Sequence, residues 1–446
     1  MTKGTKIVTT VTGSDLWASV ESQKTLIPAI YGSVDFARKP ARFADQPDDV
    51  TESVRRNAAA RAKVLADHDR VALIRAYSMM GDKVADAYAA LMTQYGFQAL
   101  VKMLVKACDE GIEAVSDAPP ELVAFIADME QKPDWLDMKL VEEGARIERN
   151  RAANLMPFVI RGAFLATFMN KYSALPMAIT NSLSSQTSAK RVKETATFFA
   201  TAVLPGALER FGPGFHAAAM VRLMHSMVRA NVMRRPNDWD QSIYGIPIPQ
   251  VDQMPAGLIP VFLMADRVLR EGRTTFTASE RASLELARYR CFLLGLPEAL
   301  LLDTPQGIID LMATRAATLR YEYDDSICGD LVRSTMAADL RLGKGVGAGL
   351  QAFFERRMSK LFFVRSFMGG SRARAAAIGV SVSRFDIWVA AVLGMYIFVQ
   401  VRLYELAEKI PGLRAVADRR LITRLKRQLA GYGLAKFTTD AAKYRR

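Results

Sequence analysis

Histidine is scarce in this chain, with three in 446 residues. One of them, His225, stands in the run Val221-Arg222-Leu223-Met224-His225-Ser226-Met227-Val228-Arg229. On a helix of about 3.6 residues per turn, positions i−3, i and i+4 share a face, so Arg222, His225 and Arg229 line up. Ala218, Val221, Val228 and Val232 flank the imidazole on the same side. Such a face offers what a haem needs: an axial ligand for iron, apolar contact for the macrocycle, and cations for two propionates. A buried structural histidine, with its nitrogens met by backbone and the arginines in ion pairs, would be written with the same letters. His216 falls on the opposite face, and His68, in Asp67-His68-Asp69, reads as an exposed residue of a charged turn.

A second constellation lies upstream. Arg191, Glu194, Thr195 and Phe198 are spaced i, i+3, i+4, i+7 and also share a helix face. A cation, an acid and a hydroxyl on one stripe suit the handling of oxygen and protons over an iron, although an ordinary Arg–Glu surface pair has the same spacing. Other chemistries lack their signatures. There is no HExxH, no paired Glu-x-x-His and no GxSxG. The glycine-rich stretch 343–349 has no GK[ST] ending and reads as a flexible connector. Cys108, Cys291 and Cys328 form no CxxC pair, which argues against a zinc site or a disulfide framework.

The elements that must position these residues are helical. Half of the residues are hydrophobic and 24% are charged, as in a folded globular chain. Clean period-two alternation is absent, so the expected fold is all-α. The His225 helix should run from Gly212-Pro213-Gly214 to Pro236, and the Arg191 helix over 188–204. Residues 71–107 read as amphipathic helix broken near Gly81-Asp82. Residues 174–187 read as a broken helix or loop, and the proline-rich 236–260 as the least regular section. The expected organisation is an N-terminal extension over 1–70, a catalytic domain over 71–360 and a distinct C-terminal pair of helices within 371–446. That pair is an apolar helix (385–406) beside a basic one (414–429), which suits either a membrane-surface anchor or a docked helix with a solvated basic face. The net charge of +14 comes without zinc-finger spacing or an RNP-type strand, so nucleic acid is not the expected partner. The first residues are polar and lack an apolar signal region, which reads as cytoplasmic.

Several ordered pieces give the chain a family resemblance. Arg191-Val-Lys-Glu194-Thr195, Arg222-Leu-Met-His225-Ser-Met-Val-Arg229, Tyr244-Gly-Ile-Pro-Ile-Pro-Gln250 and Tyr289-Arg290-Cys-Phe-Leu-Leu-Gly295 occur in the order found in the rubber oxygenase (latex clearing protein) and MpaB-type oxygenase family of b-type haem proteins. Pro133-Asp134-Trp135 and Gly144 fit its N-terminal portion, so the resemblance covers about residues 75–355. It implies an all-α fold with a globin-like core and haem b as cofactor. His225 would be the proximal iron ligand. Arg222 and Arg229 would support that side, contacting propionates or the ligand's surroundings. Arg191 and Thr195 would lie on the distal side, where dioxygen binds. Glu194 departs from the rubber oxygenases, which carry lysine there, and matches the MpaB-like branch. Ala230 also departs, since rubber oxygenases follow the second arginine with histidine.

The resulting expectation is a haem-dependent oxygenase acting on an apolar, lipid-like or isoprenoid substrate, with alkene cleavage as the family-level reaction. Two other readings stay open: a non-catalytic, membrane-peripheral haem or lipid carrier, and a helical scaffold without cofactor.

Overall fold

From Ala217 to Met233 of the Pro213–Met233 helix, Val221 and His225 alone keep more than a trace of accessible surface. That burial in the computed structural model fits a helix apolar on nearly every side, the pattern of a core element rather than a surface one. Proline suits its first position, where the backbone N–H would have no helical partner. Its first half packs Phe215, Met220, Leu223 and Met227 into one core with Leu104, Phe125 and Phe198. Its second half packs Val228, Val232 and Met233 into another with Tyr31, Ile74 and Met254. Burial of such side chains stabilises by ~1.5–3 kcal/mol each, so the helix is held at both ends.

The structure describes residues 13–180, 185–343 and 345–432, and the regular elements among them are helices. One isolated antiparallel bridge joins Phe43 and Leu319. The fold is all-α, as expected. Residues 16–43, within the segment read as an extension, contribute Leu16, Val20, Ile30, Tyr31 and Phe43 to the second core.

Three of the helices packed against the His225 helix carry residues of the site. Lys83–Ala90 begins at Asp82, whose side chain caps it by accepting the Ala85 N–H at 3.1 Å. Ser185–Thr201 carries Arg191, Glu194 and Thr195. Ala278–Leu293 begins in a capping box, in which Thr277 and Glu280 each accept the other's backbone N–H.

Three expectations about element limits need correction. Residues 71–107 are interrupted three times, at 78–82, at Leu91 and at Gly96, whose φ of +79° suits glycine. The irregular section ends at Pro249, because a helix spans Gln250–Arg270 straight through Pro255 and Pro260. Pro255 has no N–H to give the Val251 carbonyl, and Arg315 Nε donates to that oxygen instead at 2.9 Å. The glycine-rich connector is shorter than it reads. Gly343 and Gly345 have positive φ, and a helix starts at Val346.

The C-terminal helices are Arg384–Ala407 and Leu413–Tyr432. The second is docked, with Leu421 and Leu425 in the first core and Asp418 paired to Arg149 at 2.9 Å. The first buries Val389, Ala390, Leu393 and Ile397 and exposes Phe385, Trp388, Val392, Met395 and Val399. Among the described residues it is the helix long and apolar enough to cross a membrane.

Candidate functional site around His225

His225 is held by an amide relay that also fixes its protonation. Its Nδ1 lies 3.0 Å from Gln253 Oε1. Gln253 Nε2 donates to Gln250 Oε1 at 3.2 Å, and Gln250 Nε2 donates to the Gly81 carbonyl at 3.1 Å. A backbone carbonyl can only accept, so it sets the direction of the whole chain. Gln250 must present its N–H to Gly81, Gln253 must present its N–H to Gln250, and Nδ1 of His225 must carry the proton. The Nε2 lone pair is then free. Gly81 is itself anchored, with its N–H given to Gln23 Oε1 at 2.9 Å. Burial lowers the imidazole from its usual 6.5 to about 4; Arg229 and Arg191 add to this, and the Gln253 bond and Asp82 oppose it. At neutral pH the ring is uncharged, the form that ligates metals.

Arg222 and Arg229 are both buried, and both are paired with protein carboxylates, although Nη1 of Arg222 meets Asp128 as an ion pair without hydrogen-bond geometry. Arg222 holds Asp82 through Nε and Nη2 and Asp128 through Nη1, the last at 2.6 Å. Arg229 pairs with Asp86 and donates to the carbonyls of Pro247 at 3.0 Å and Ile248 at 2.6 Å. Tyr31 completes the group by donating to Asp86. Burial raises the Asp86 carboxyl while Arg229 pulls it back. Ile248, a β-branched residue with φ of +47°, is in a strained conformation that Arg229 bridges on both sides. Gly81 has no room for a side chain, since a Cβ would strike the Tyr31 hydroxyl, Asp86 and Arg229. The two arginines thus clamp the His225 helix to Lys83–Ala90 and to the 244–250 loop.

Asp82, Asp86, Gln250 and Gln253 are the site residues that sequence reasoning missed. The signal for the first two was present: two aspartates at i and i+4 on an otherwise apolar helix need buried cations.

The Arg191 helix keeps one line of partly accessible residues beside a buried one. Arg191, Thr195 and Phe199, at i, i+4 and i+8, are each half-buried, while Val192, Ala196 and Ala200 are buried. Arg191 lies close enough to lower the basicity of His225. Glu194 is 3.7 Å from Lys190, and burial raises its carboxyl against the pull of Arg191 and Lys190. The structure therefore brings Arg191 and His225 together across two adjacent helices. His216 is not part of this group; it pairs with Asp109 at 2.7 Å.

Arg290, on the Ala278–Leu293 helix, sits at the end of the same stripe, with its guanidinium over the Phe199 ring at 4.8 Å. It is only 8% exposed, and its Nε is buried without an acceptor. No hydrogen bond or ion pair reaches its guanidinium among the described residues. Burial lowers its pKa, yet a guanidinium stays charged in proteins. A ring face is worth ~0.5–2 kcal/mol to a cation, less than the several kcal/mol that an unpaired buried charge costs.

The latex clearing protein LCP, solved in its closed state, has a similar structure, with a TM-score of 0.55 and 18% identity over 79% of this chain and 91% of that one. No curated protein matches. The family described as "ER-bound oxygenase mpaB/B'/Rubber oxygenase, catalytic domain" matches residues 150–380, which include His225, Arg191 and Arg290. That stretch is more than half of the chain, so this protein belongs to the mpaB/rubber oxygenase family and is an oxygenase-type, all-α protein.

Proposed function

We propose that this protein is a haem b-dependent oxygenase acting on an apolar, lipid-like or isoprenoid substrate, with His225 as the residue that would hold the iron. The observation that carries the reading is the relay from Gly81 through Gln250 and Gln253. It leaves a neutral imidazole with Nδ1–H engaged and Nε2 free, as second-sphere bonds do for ligating histidines. Among the described residues no three His, Cys, Asp or Glu side chains converge as a cage for a bare ion. A porphyrin brings four nitrogens of its own and asks the protein for one such imidazole. Val221 and His225 form the accessible notch of an otherwise buried helix, and apolar side chains flank it.

Bound haem would supply the site of dioxygen activation. The chain's residues do the rest. Gln253 orients the His225 ring. Arg222 and Arg229, occupied by Asp82, Asp128 and Asp86, hold the supporting side rigid rather than reach for propionates. Arg191 and Thr195 place a cation and a hydroxyl on the facing helix, where they would donate hydrogen bonds to dioxygen or substrate entering the site. Glu194, whose carboxyl burial raises above the usual range, is placed to hold and pass a proton. Cleavage of an unsaturated bond is the reaction most in keeping with the family.

The test is an absorption spectrum. Purified protein supplemented with haem should show a Soret band, and His225→Ala should lose it. No Soret band in the wild-type chain, or full haem occupancy in His225→Ala, would overturn the assignment.

A peripheral membrane seat is a second element of the reading. The outer face of Arg384–Ala407 exposes Phe385, Trp388, Val392, Met395 and Val399 over about four helical turns, and its inner face is packed. A helix bound along its length lies on a surface, and the exposed Arg419, Arg420 and Arg427 of the next helix suit anionic headgroups. Wild-type protein should float with anionic vesicles, and Trp388→Glu combined with Met395→Glu should abolish flotation without changing haem content.

A further inference from the structure

We infer that Arg290 is the anion-binding end of the site and takes the carboxylate of an apolar molecule lying along the Arg191–Thr195–Phe199 stripe. Three observations support this. The guanidinium is more than nine-tenths buried, yet it meets no acceptor, and its Nε is fully enclosed. Glu148 is the carboxylate whose field reaches it, but it lies beyond ion-pair distance and bonds Arg151 at 3.3 Å. The ring that carries the guanidinium, Phe199, lies two turns from Arg191 on the partly accessible Arg191–Thr195–Phe199 line of that helix.

The contrast with the other buried arginines of the site is direct. Arg222 and Arg229 were each given protein carboxylates, and Arg290 was not. A planar fork of N–H donors, buried against a ring, matches an oxyanion such as a carboxylate in bidentate geometry. The carboxylate could come from a propionate of the proposed cofactor or from a fatty-acid-like substrate. In the first case the inference rests on the haem reading; in the second it stands without it.

The experiment uses the full chain, Arg290→Met and, as the charge-retaining control, Arg290→Lys. Without ligand, Arg290→Met should melt several degrees above wild type, because an unpaired buried charge has been removed. In one arm, haem and haem dimethyl ester are titrated by absorbance. In the other, oleate and methyl oleate compete with a fluorescent fatty acid. Wild type should prefer the free acid to its ester at least tenfold in one arm, and Arg290→Met should lose that preference while Arg290→Lys keeps part of it. A preference confined to the haem arm assigns the carboxylate to the cofactor; one confined to the oleate arm assigns it to the substrate. If wild type gives no Soret band but discriminates oleate from its ester, the haem assignment fails and the Arg290 site stands. An unchanged acid-to-ester ratio in both arms overturns the inference. So does a lower melting temperature of Arg290→Met, which would make Glu148 its partner.

Discussion

The two sides of the His225 helix treat buried charge in opposite ways. Toward Lys83–Ala90, each guanidinium meets carboxylates or carbonyls: Arg222 with Asp82 and Asp128, Arg229 with Asp86, Pro247 and Ile248. Toward Ser185–Thr201 and the Ala278–Leu293 helix, polar groups are left short. Arg290 has no acceptor, Glu194 has one loose pair at 3.7 Å, and the Thr197 hydroxyl is buried without a partner. A protein that can satisfy buried charge so fully on one side does not leave it bare on the other by necessity. The saturated side is scaffold, and the unsaturated side is where we propose that a ligand completes the structure. The same division separates the arginines, which look equivalent in sequence.

The largest effect should come from breaking the saturated side. Arg229→Met leaves Asp86 buried beside Tyr31 with no cation, so stability should fall by about 3–5 kcal/mol. Urea denaturation measures this, and a loss below ~1 kcal/mol, the range of exposed pairs, would put both sides on one footing.

The next effect is in the metal-free protein. The imidazole is depressed to about 4 in the fold, whereas in the unfolded chain it takes a proton near 6.5. A depressed histidine favours the unfolded state as pH falls, so stability should be complete above pH 6.5 and decline toward pH 4. The decline should be on the order of 3 kcal/mol at ~1.4 kcal/mol per unit. His225→Gln should flatten that part of the stability profile, and an unchanged slope would refute the burial of this ring.

Gln253→Leu sharpens the comparison, since the relay joins the scaffold to the ligand. It should weaken haem binding by roughly 10–100-fold, the usual consequence of losing a second-sphere partner, while the fold survives. Haem titration reads this, and wild-type affinity in the variant would detach the relay from the site. The smallest effect belongs to the half-exposed Lys190. Its long pair with Glu194 is worth ~0.5 kcal/mol or less, so Lys190→Ala should leave the unfolding midpoint nearly unchanged.

Much of the site was legible in the letters because helical period is local. The alignment of Arg222, His225 and Arg229 on one face, and of Arg191 with Thr195, follows from 3.6 residues per turn and the absence of breakers. The all-α class follows in the same way. The limits of elements were harder to read where proline is involved. The run from Gln250 to Arg270 is helical because Arg315 satisfies the carbonyl that Pro255 leaves open, and Arg315 is 64 residues away.

What the sequence determined by itself is the set of faces: which residues travel together on a helix, and that one histidine sits among apolar neighbours. What only the tertiary structure decided is what each face meets. Asp82 lies 140 residues from Arg222, and Gln253 lies 28 residues from His225. Whether a guanidinium finds a carboxylate or an empty space depends on how distant helices pack, and local periodicity carries no record of that. The difference between Arg229, which is scaffold, and Arg290, which awaits an anion, lies wholly in that packing.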